Sequence, residues 1–353
     1  MVVPEVKLSV LDLIPVRTAQ TSRQALLASA SLAQEADRLG FTRFWVAEHH
    51  NMQAVASSVP GVLIPFLATG TQQIRFGSGG VMLPNHAALA VAEQFALLEA
   101  MFPGRIDLGI GRAPGSDPVT SYLLRGGAQM EGVDSFEQDV TLARALLGID
   151  GDPGDAVPIA ISGRPYDLRA TPLGASAPVL WLLGSSDYSA NLAARLGLPY
   201  VFANHFGMPG LEMALASYRS RCQPADAFPE PTTLLPINAV VATTAEEAQE
   251  RALPQLVQMA RLRSGAALGP QLTVEEAVAY EFNDTERAMV DSMRQQWLVG
   301  TPSSVAGQLQ ELAEKHGVDE IMVTPSAGSY TGEALDSSPG RITTLQLLAG
   351  ELR

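Results

Sequence analysis

Eight times along the chain, a short apolar run rich in valine, isoleucine, leucine and aromatic residues gives way to a stretch with helical spacing. Nothing else in the sequence constrains the fold as tightly. Strands and helices that alternate in this way form right-handed βαβ units, and such units build a parallel sheet covered by helices. The expected strands span 6–12, 41–47, 74–81, 105–110, 179–183, 200–203, 234–242 and 320–323. Between the first two, Thr21 and Gln24 have the spacing of a capping box, Leu26, Ala30, Ala33 and Ala36 follow near helical spacing, and Gly40 stops the helix. Ala88, Val91, Phe95 and Leu98 form the apolar stripe of a helix over 87–101. Further helices are expected over 58–69, 136–147, 186–196, 210–221, 245–263 (kinked at Pro254), 301–316 and 341–353. Eight such units predict an α/β fold, a (β/α)8 TIM barrel, with a doubly wound sheet as the alternative. No linker divides the 353 residues, so one barrel domain over 1–353 is expected.

Regularity lapses in three places. The stretch 113–132 is rich in Gly, Pro, Ser and Asp and reads as a long loop. The stretch 148–177 reads as an insertion of short extended pieces after the fourth strand. Residues 265–299 are amphipathic but poorly punctuated, and a mobile cover is expected near 265–296.

Hydrophobic residues make up 46% of the chain, enough for a large core. The formal net charge of -14 argues against nucleic acid or an anionic membrane surface as a partner. An anionic ligand must therefore be held by local donors. Cys222 is the one cysteine, which excludes an internal disulfide and a cysteine metal cluster. No apolar run reaches the ~18 residues of a membrane span. The chain start lacks the basic and apolar segments of a secretion signal, so a cytoplasmic protein is expected.

In a barrel, functional groups gather where strands end. Those ends carry Asp12, Glu48-His49-His50, Gly79-Gly80, Arg112, Gly184-Ser185-Ser186 and Asn204-His205. At the fifth end a buried strand runs into a helix N-terminus, whose free N–H groups and dipole favour a phosphate. Ser185, Tyr188 and Ser189 can donate there, and Gly184 permits close approach. An ordinary serine cap accounts for the same residues, and Asp187 opposes an anion unless it turns away. Arg112 offers either the compensating charge or a loop salt bridge. Gly79 and Gly80 within a strand mark a bulge, an unusual backbone, or the close approach of a flat ligand. Glu48-His49-His50 reads as an acid–base group near neutral pH, as a capped strand end, or as a metal ligand. Adjacent histidines on an extended segment point to opposite sides, so no metal is expected. Gly109-Ile110-Gly111-Arg112-Ala113-Pro114 imitates a dinucleotide fingerprint, but it lacks the third glycine and puts Pro114 where a helix should begin.

Taken together, the ordered blocks Trp45-Val46-Ala47-Glu48-His49-His50, Gly77-Ser78-Gly79-Gly80-Val81-Met82-Leu83-Pro84-Asn85-His86, the run from Pro103 to Gly115, Leu183-Gly184-Ser185-Ser186-Asp187-Tyr188-Ser189-Ala190 and Val299-Gly300-Thr301-Pro302 resemble the bacterial luciferase-like flavin monooxygenases. The resemblance implies a barrel that binds FMN noncovalently. It places the family's catalytic histidine on His49, with Glu48 beside the flavin. It places the family's non-proline cis peptide on Gly79-Gly80, under the flavin ring, and the phosphate groups on Arg112, Ser185, Tyr188 and Ser189. Luciferase itself has a glutamate where Gly184 stands and a threonine where Tyr188 stands, so the side-chain donor set differs here.

The implied activity is that of an FMN-dependent monooxygenase of the two-component kind. Reduced FMN would come from a separate flavin reductase and react with O2 and a small organic substrate, with His49 managing protons. Hydride transfer with a deazaflavin, and non-catalytic flavin binding, are the alternatives. The resemblance also implies a homodimer joined through helices near 58–70 and 87–101. The substrate has no motif in 113–132 or 265–296.

Overall fold

The structure is a computed structural model that describes residues 6–113, 115–127 and 135–352. Pro114, residues 128–132 of the expected loop, the extreme chain start and Arg353 therefore lie outside the described residues. In chain order the strands are β1 (Lys7–Asp12), β2 (Arg43–Val46), β3 (Arg75–Met82), β4 (Ile106–Gly111), β5 (Val157–Ile161), β6 (Arg164–Leu168), β7 (Val179–Gly184), β8 (Tyr200–Phe202), β9 (Leu235–Val241), β10 (Leu298–Gly300) and β11 (Glu320–Pro325). The helices are α1 (Ser22–Arg38), α2 (Pro60–Ala68), α3 (Ala88–Met101), α4 (Pro118–Leu124), α5 (Phe136–Leu146), α6 (Asp187–Leu196), α7 (Leu211–Arg221), α8 (Ala245–Arg263), α9 (Val274–Val278), α10 (Asp284–Arg294), α11 (Pro302–His316) and α12 (Pro339–Glu351).

β1 sits between β2 and β11 in a nine-stranded sheet whose neighbours all run parallel. On one side the sheet continues through β3, β4, β7 and β8, and on the other through β9 to β10. The Tyr200 amide donates to the Thr232 carbonyl at 3.0 Å, which brings β8 back against the entry to β9 and curls the sheet round. The eight expected strands are all present. β10 was not foreseen, because three residues after an amphipathic stretch carry no readable period; it pairs with the far end of β9. The insertion forms an exposed antiparallel hairpin of β5 and β6. The expected long loop after β4 holds α4, which begins with an Asp117 cap and Pro118 in its first turn. α9 and α10, in the region expected to cover the mouth, each start with a capping box.

Parity along the strands decides what faces inward. Phe44 and Val46 join the outer core under the helices, while Trp45 faces the barrel interior with Leu11, Trp181, Val201, Leu234 and Met322. The Trp45 and Trp181 rings meet edge to face at 5.5 Å. Beneath them lies a buried charge network. Arg43 donates to Asp107 and to Glu320, both at 2.8 Å, and Arg75 adds a second bridge to Asp107 at 2.8 Å. Burial pushes the Arg43 guanidinium down, but the two carboxylates outweigh it and hold its pKa above the ordinary value. The Trp45 Nε1–H also donates to Asp107, at 2.9 Å. The lower barrel is thus closed by satisfied charge, and the hollow is left to the upper end.

Asp12, a candidate end group, is structural. It accepts from Ser29 Oγ at 2.6 Å and Arg341 Nη2 at 2.5 Å, tying β1 to α1 and α12. On the outside, α2 and α3 expose Val62, Phe66, Leu97 and Met101 to solvent.

Candidate active site

The carboxyl ends of the strands enclose a cavity of about 750 Å³. This is within the range of small-molecule and cofactor sites. Its floor is the aromatic and aliphatic layer of Leu11, Trp45, Val201 and Met322. Of the nine site residues expected from sequence, seven line it: His49, Gly79, Gly80, Arg112, Gly184, Ser185 and Ser189.

Glu48 is the first correction. It was expected to act at the flavin, but it lies behind the wall. Arg43, Trp45, Ala47 and His49 share one parity and face inward; Glu48 and His50 have the other. The Glu48 carboxylate is fully buried and takes three donors: Nε2 of His50 at 2.9 Å, Nε2 of His86 at 2.8 Å and the Met82 amide at 3.0 Å. Burial raises its pKa, but these hydrogen bonds, led by that of His86, outweigh it and hold the carboxyl below the ordinary value. Glu48 therefore joins the ends of β2 and β3 and positions their neighbours.

His49 is fixed from several sides. Its amide donates to the Ser57 carbonyl at 2.9 Å, and its Nδ1 lies 3.3 Å from the Gly115 carbonyl. A carbonyl can only accept, so Nδ1 carries the proton and Nε2 keeps a lone pair. Burial lowers the pKa of His49 and keeps it neutral near pH 7. His205, which sequence reading noted only as a strand end, lines the same cavity. Burial, helped by His49, pushes its pKa down to about 3. Its ring packs on Phe206 at 4.1 Å, and its buried Nδ1 has no partner among the described residues.

The shelf on the β3 side is the Gly79–Gly80 segment, where the peptide bond is cis and the register against β4 shifts. A Cβ on Gly79 would sit 2.7 Å from Leu11 Cδ1, and one on Gly80 would sit 2.8 Å from the Gly109 carbonyl oxygen. Backbone leaves no room for a side chain at Gly80, whereas one at Gly79 would press on Leu11 and Trp45; the segment presents bare backbone to the cavity.

Two strands along the sheet from β3, past β4, β7 runs into α6. Ser185 and Ser186 are exposed ahead of the helix, and Ser186 makes no side-chain cap bond. A Cβ on Gly184 would sit 2.6 Å from Ser189 Cβ, so glycine lets the strand end and helix start close up. Arg112 stacks on the Tyr188 ring at 4.0 Å and has no carboxylate partner among the described residues. Tyr188 carries the guanidinium on its ring and does not itself line the cavity. Asp187 is exposed in the first turn of α6 and does not line the cavity. Sequence reading missed Arg125, which brings a second guanidinium into the cavity from the end of α4, and Tyr122 and Ser121 beside it. Their signal was the Asp117–Pro118 helix start.

The arrangement offers a backbone shelf on β3, a helix N-terminus with Arg112 beside it at the end of β7, and two neutral imidazoles on the tails of the flanking strands β2 and β8. Among the described residues no group of three or more His, Cys, Asp or Glu side chains is placed to hold a metal ion. These groups can bind an anion, seat a ring and accept a proton.

His205 and Glu48 have a consequence for stability. His205 stays neutral in the folded chain down to about pH 3, whereas it ionises near 6.5 in the unfolded one. Its contribution is present above about pH 6.5 and is lost as pH falls toward about 3. Glu48, held low, contributes above its unfolded value of about 4.3, and that part is lost as pH falls through its folded value. In urea denaturation, H205Q should lose stability with acid less steeply than the parent between about pH 6.5 and 4, by about one proton's slope. Equal slopes would contradict a neutral His205.

Comparison with known proteins agrees with this geometry. Residues 6–320 match the model of the luciferase-like monooxygenase family. A luciferase-like monooxygenase of Escherichia coli (strain K12) is 39% identical over 319 residues, which cover 89% of this chain and 90% of that one. The N-acetyl-S-alkylcysteine monooxygenase of Bacillus subtilis (strain 168) is 32% identical over 321 residues, 90% of this chain and 92% of that one. Among solved structures, apo-MsnO8 matches with a TM-score of 0.79 at 34% identity, over 99% of this chain and 98% of that one. The chain belongs to the luciferase-like monooxygenase family.

Proposed function

We propose that this chain is the oxygenase component of a two-component monooxygenase that uses reduced FMN and O2 on a small organic substrate. The observation that carries the reading is one cavity lined both by the Gly79–Gly80 shelf and by Arg112 and the start of α6. These residues fit FMN. The shelf accepts a planar ring, and Arg112, Arg125, Ser185 and the free N–H groups of α6 suit a phosphate. In a chain with a net charge of -14, two guanidinium groups in one cavity are the local donors an anion needs.

Bound there, reduced FMN supplies the electrons that activate O2. The chain's own groups do the rest. Trp45, Leu11 and Met322 exclude water from below. The Nε2 lone pair of His49 accepts or holds a proton at the cavity face. Glu48 orients the segment through His50, His86 and Met82 and touches no reactant. In this reading a separate reductase supplies the reduced flavin, in the cytoplasm. H49A should keep its affinity for reduced FMN within about twofold and lose about 10²-fold or more in product formation on a panel of thioethers, aldehydes and ketones. Unchanged turnover, or flavin affinity lost along with it, would contradict the role given to His49.

The exposed side chains of α2 and α3 support a homodimer: Val62 is 68% exposed and Phe66 47%. Sedimentation equilibrium should give the mass of two chains, and F66D should shift it toward one. A single-chain mass for the unmodified protein would remove the dimer.

A further inference from the structure

Behind His49 and Phe206 lies a second hollow of about 80 Å³, which shares these two side chains with the main cavity. It opens between the ends of β1 and β11 on one side and α8 on the other. Leu13, Val55, Met259 and Leu268 supply apolar wall. Besides His49, the one ionisable side chain in its wall is Arg341, and that group is committed. Its Nη2 donates to Asp12 at 2.5 Å and its Nε to the Pro325 carbonyl at 3.0 Å. Gln271 and Gln255 satisfy each other through a 2.6 Å hydrogen bond. Gln258 adds a further neutral amide to the wall, and one fully buried hydroxyl is left over. The Thr324 side chain is 8% exposed, lies in the wall, and its hydroxyl has no partner among the described residues.

We propose that this hollow binds a short, uncharged aliphatic arm of the substrate while the reacting end stays beside His49. The proposal rests on the main cavity being the flavin and substrate site. Size keeps the arm short: at about 80 Å³ the hollow is a small annex to the main cavity of about 750 Å³. The apolar wall rewards each methylene by about fourfold in affinity. A carboxylate or ammonium on the arm finds no free counter-charge and is excluded, because an unpaired ion is costly to bury. The neutral amide of Gln258 in the wall tolerates one oxygen, as in an alcohol or a ketone.

Straight-chain 1-alkanols from ethanol to 1-hexanol are suitable probes on the full-length chain, read by NMR of 13C-methyl methionine. Met52 and Met259 line the small hollow, whereas Met82 and Met322 line the main cavity, so the methyl signals report which space is filled. The alcohols should shift Met52 and Met259 saturably, with affinity rising about fourfold per methylene up to 1-butanol and levelling beyond it. Butyrate and butylammonium should leave both signals unmoved. L268W, which fills the hollow from a surface loop, should weaken 1-butanol about tenfold without changing the affinity for reduced FMN read on Met82 and Met322. The chain-length series on the unmodified protein stands without the variant. Shifts confined to Met82 and Met322, affinity that keeps climbing to 1-hexanol, equal binding of butyrate, or an unaffected L268W would overturn the proposal. If reduced FMN fails to move Met82 and Met322, the cofactor reading fails instead, since the hollow is scored on Met52 and Met259 alone.

Discussion

The upper half of this barrel depends on one carboxylate. Glu48 is fully buried, and its two oxygens take two imidazoles and a backbone amide. The donors come from the tail of β2, the end of β3 and the turn that follows. They meet at a point just outside the barrel wall. Buried charge is tolerated only when it is fully satisfied. Each donor is therefore obliged to stay, and the two strand tails are locked in register. His49 on one tail and the Gly79–Gly80 shelf on the other inherit their relative position from that lock.

The same logic grades the barrel from bottom to top. Asp107 and Glu320 neutralise Arg43 at the lower end. Above that network sits a dry layer of tryptophan, leucine and methionine, and above it open glycines, imidazoles and serines. A satisfied charge network gives rigidity but no room. The apolar layer gives a water-poor floor. Chemistry is left to the rim, where Arg112 and Arg125 have no acid to neutralise them among the described residues and can meet an anion. Function at such a site comes from what the lower layers leave unpaired.

Much of this was legible in the sequence. All eight staves of the barrel could be read from alternating apolar runs, because buried parallel strands carry long β-branched segments. Gly79-Gly80, Arg112, Ser185 and His49 could be placed at one end because barrel sites follow strand ends. The burial of Glu48 was also there to be read: parity from Trp45 puts His49 inside and Glu48 outside. The resemblance to a flavin family drew attention to the motif as a block and away from its alternation. Other features carried no local signal. The stacking of Arg112 on Tyr188 joins residues 76 positions apart, and the entry of His205 beside His49 depends on how β8 returns to β9. The small hollow exists only where three elements meet.

The central claim, that the rim between the glycine shelf and the α6 N-terminus holds a flavin by its phosphate, has a direct test. Reduced FMN and reduced riboflavin differ only in that phosphate and can be titrated anaerobically into the same protein. FMN is expected to bind about 100-fold more tightly, since the guanidinium groups and helix N-terminus act on the phosphate alone. Equal affinity for the two, or binding of neither, would contradict it.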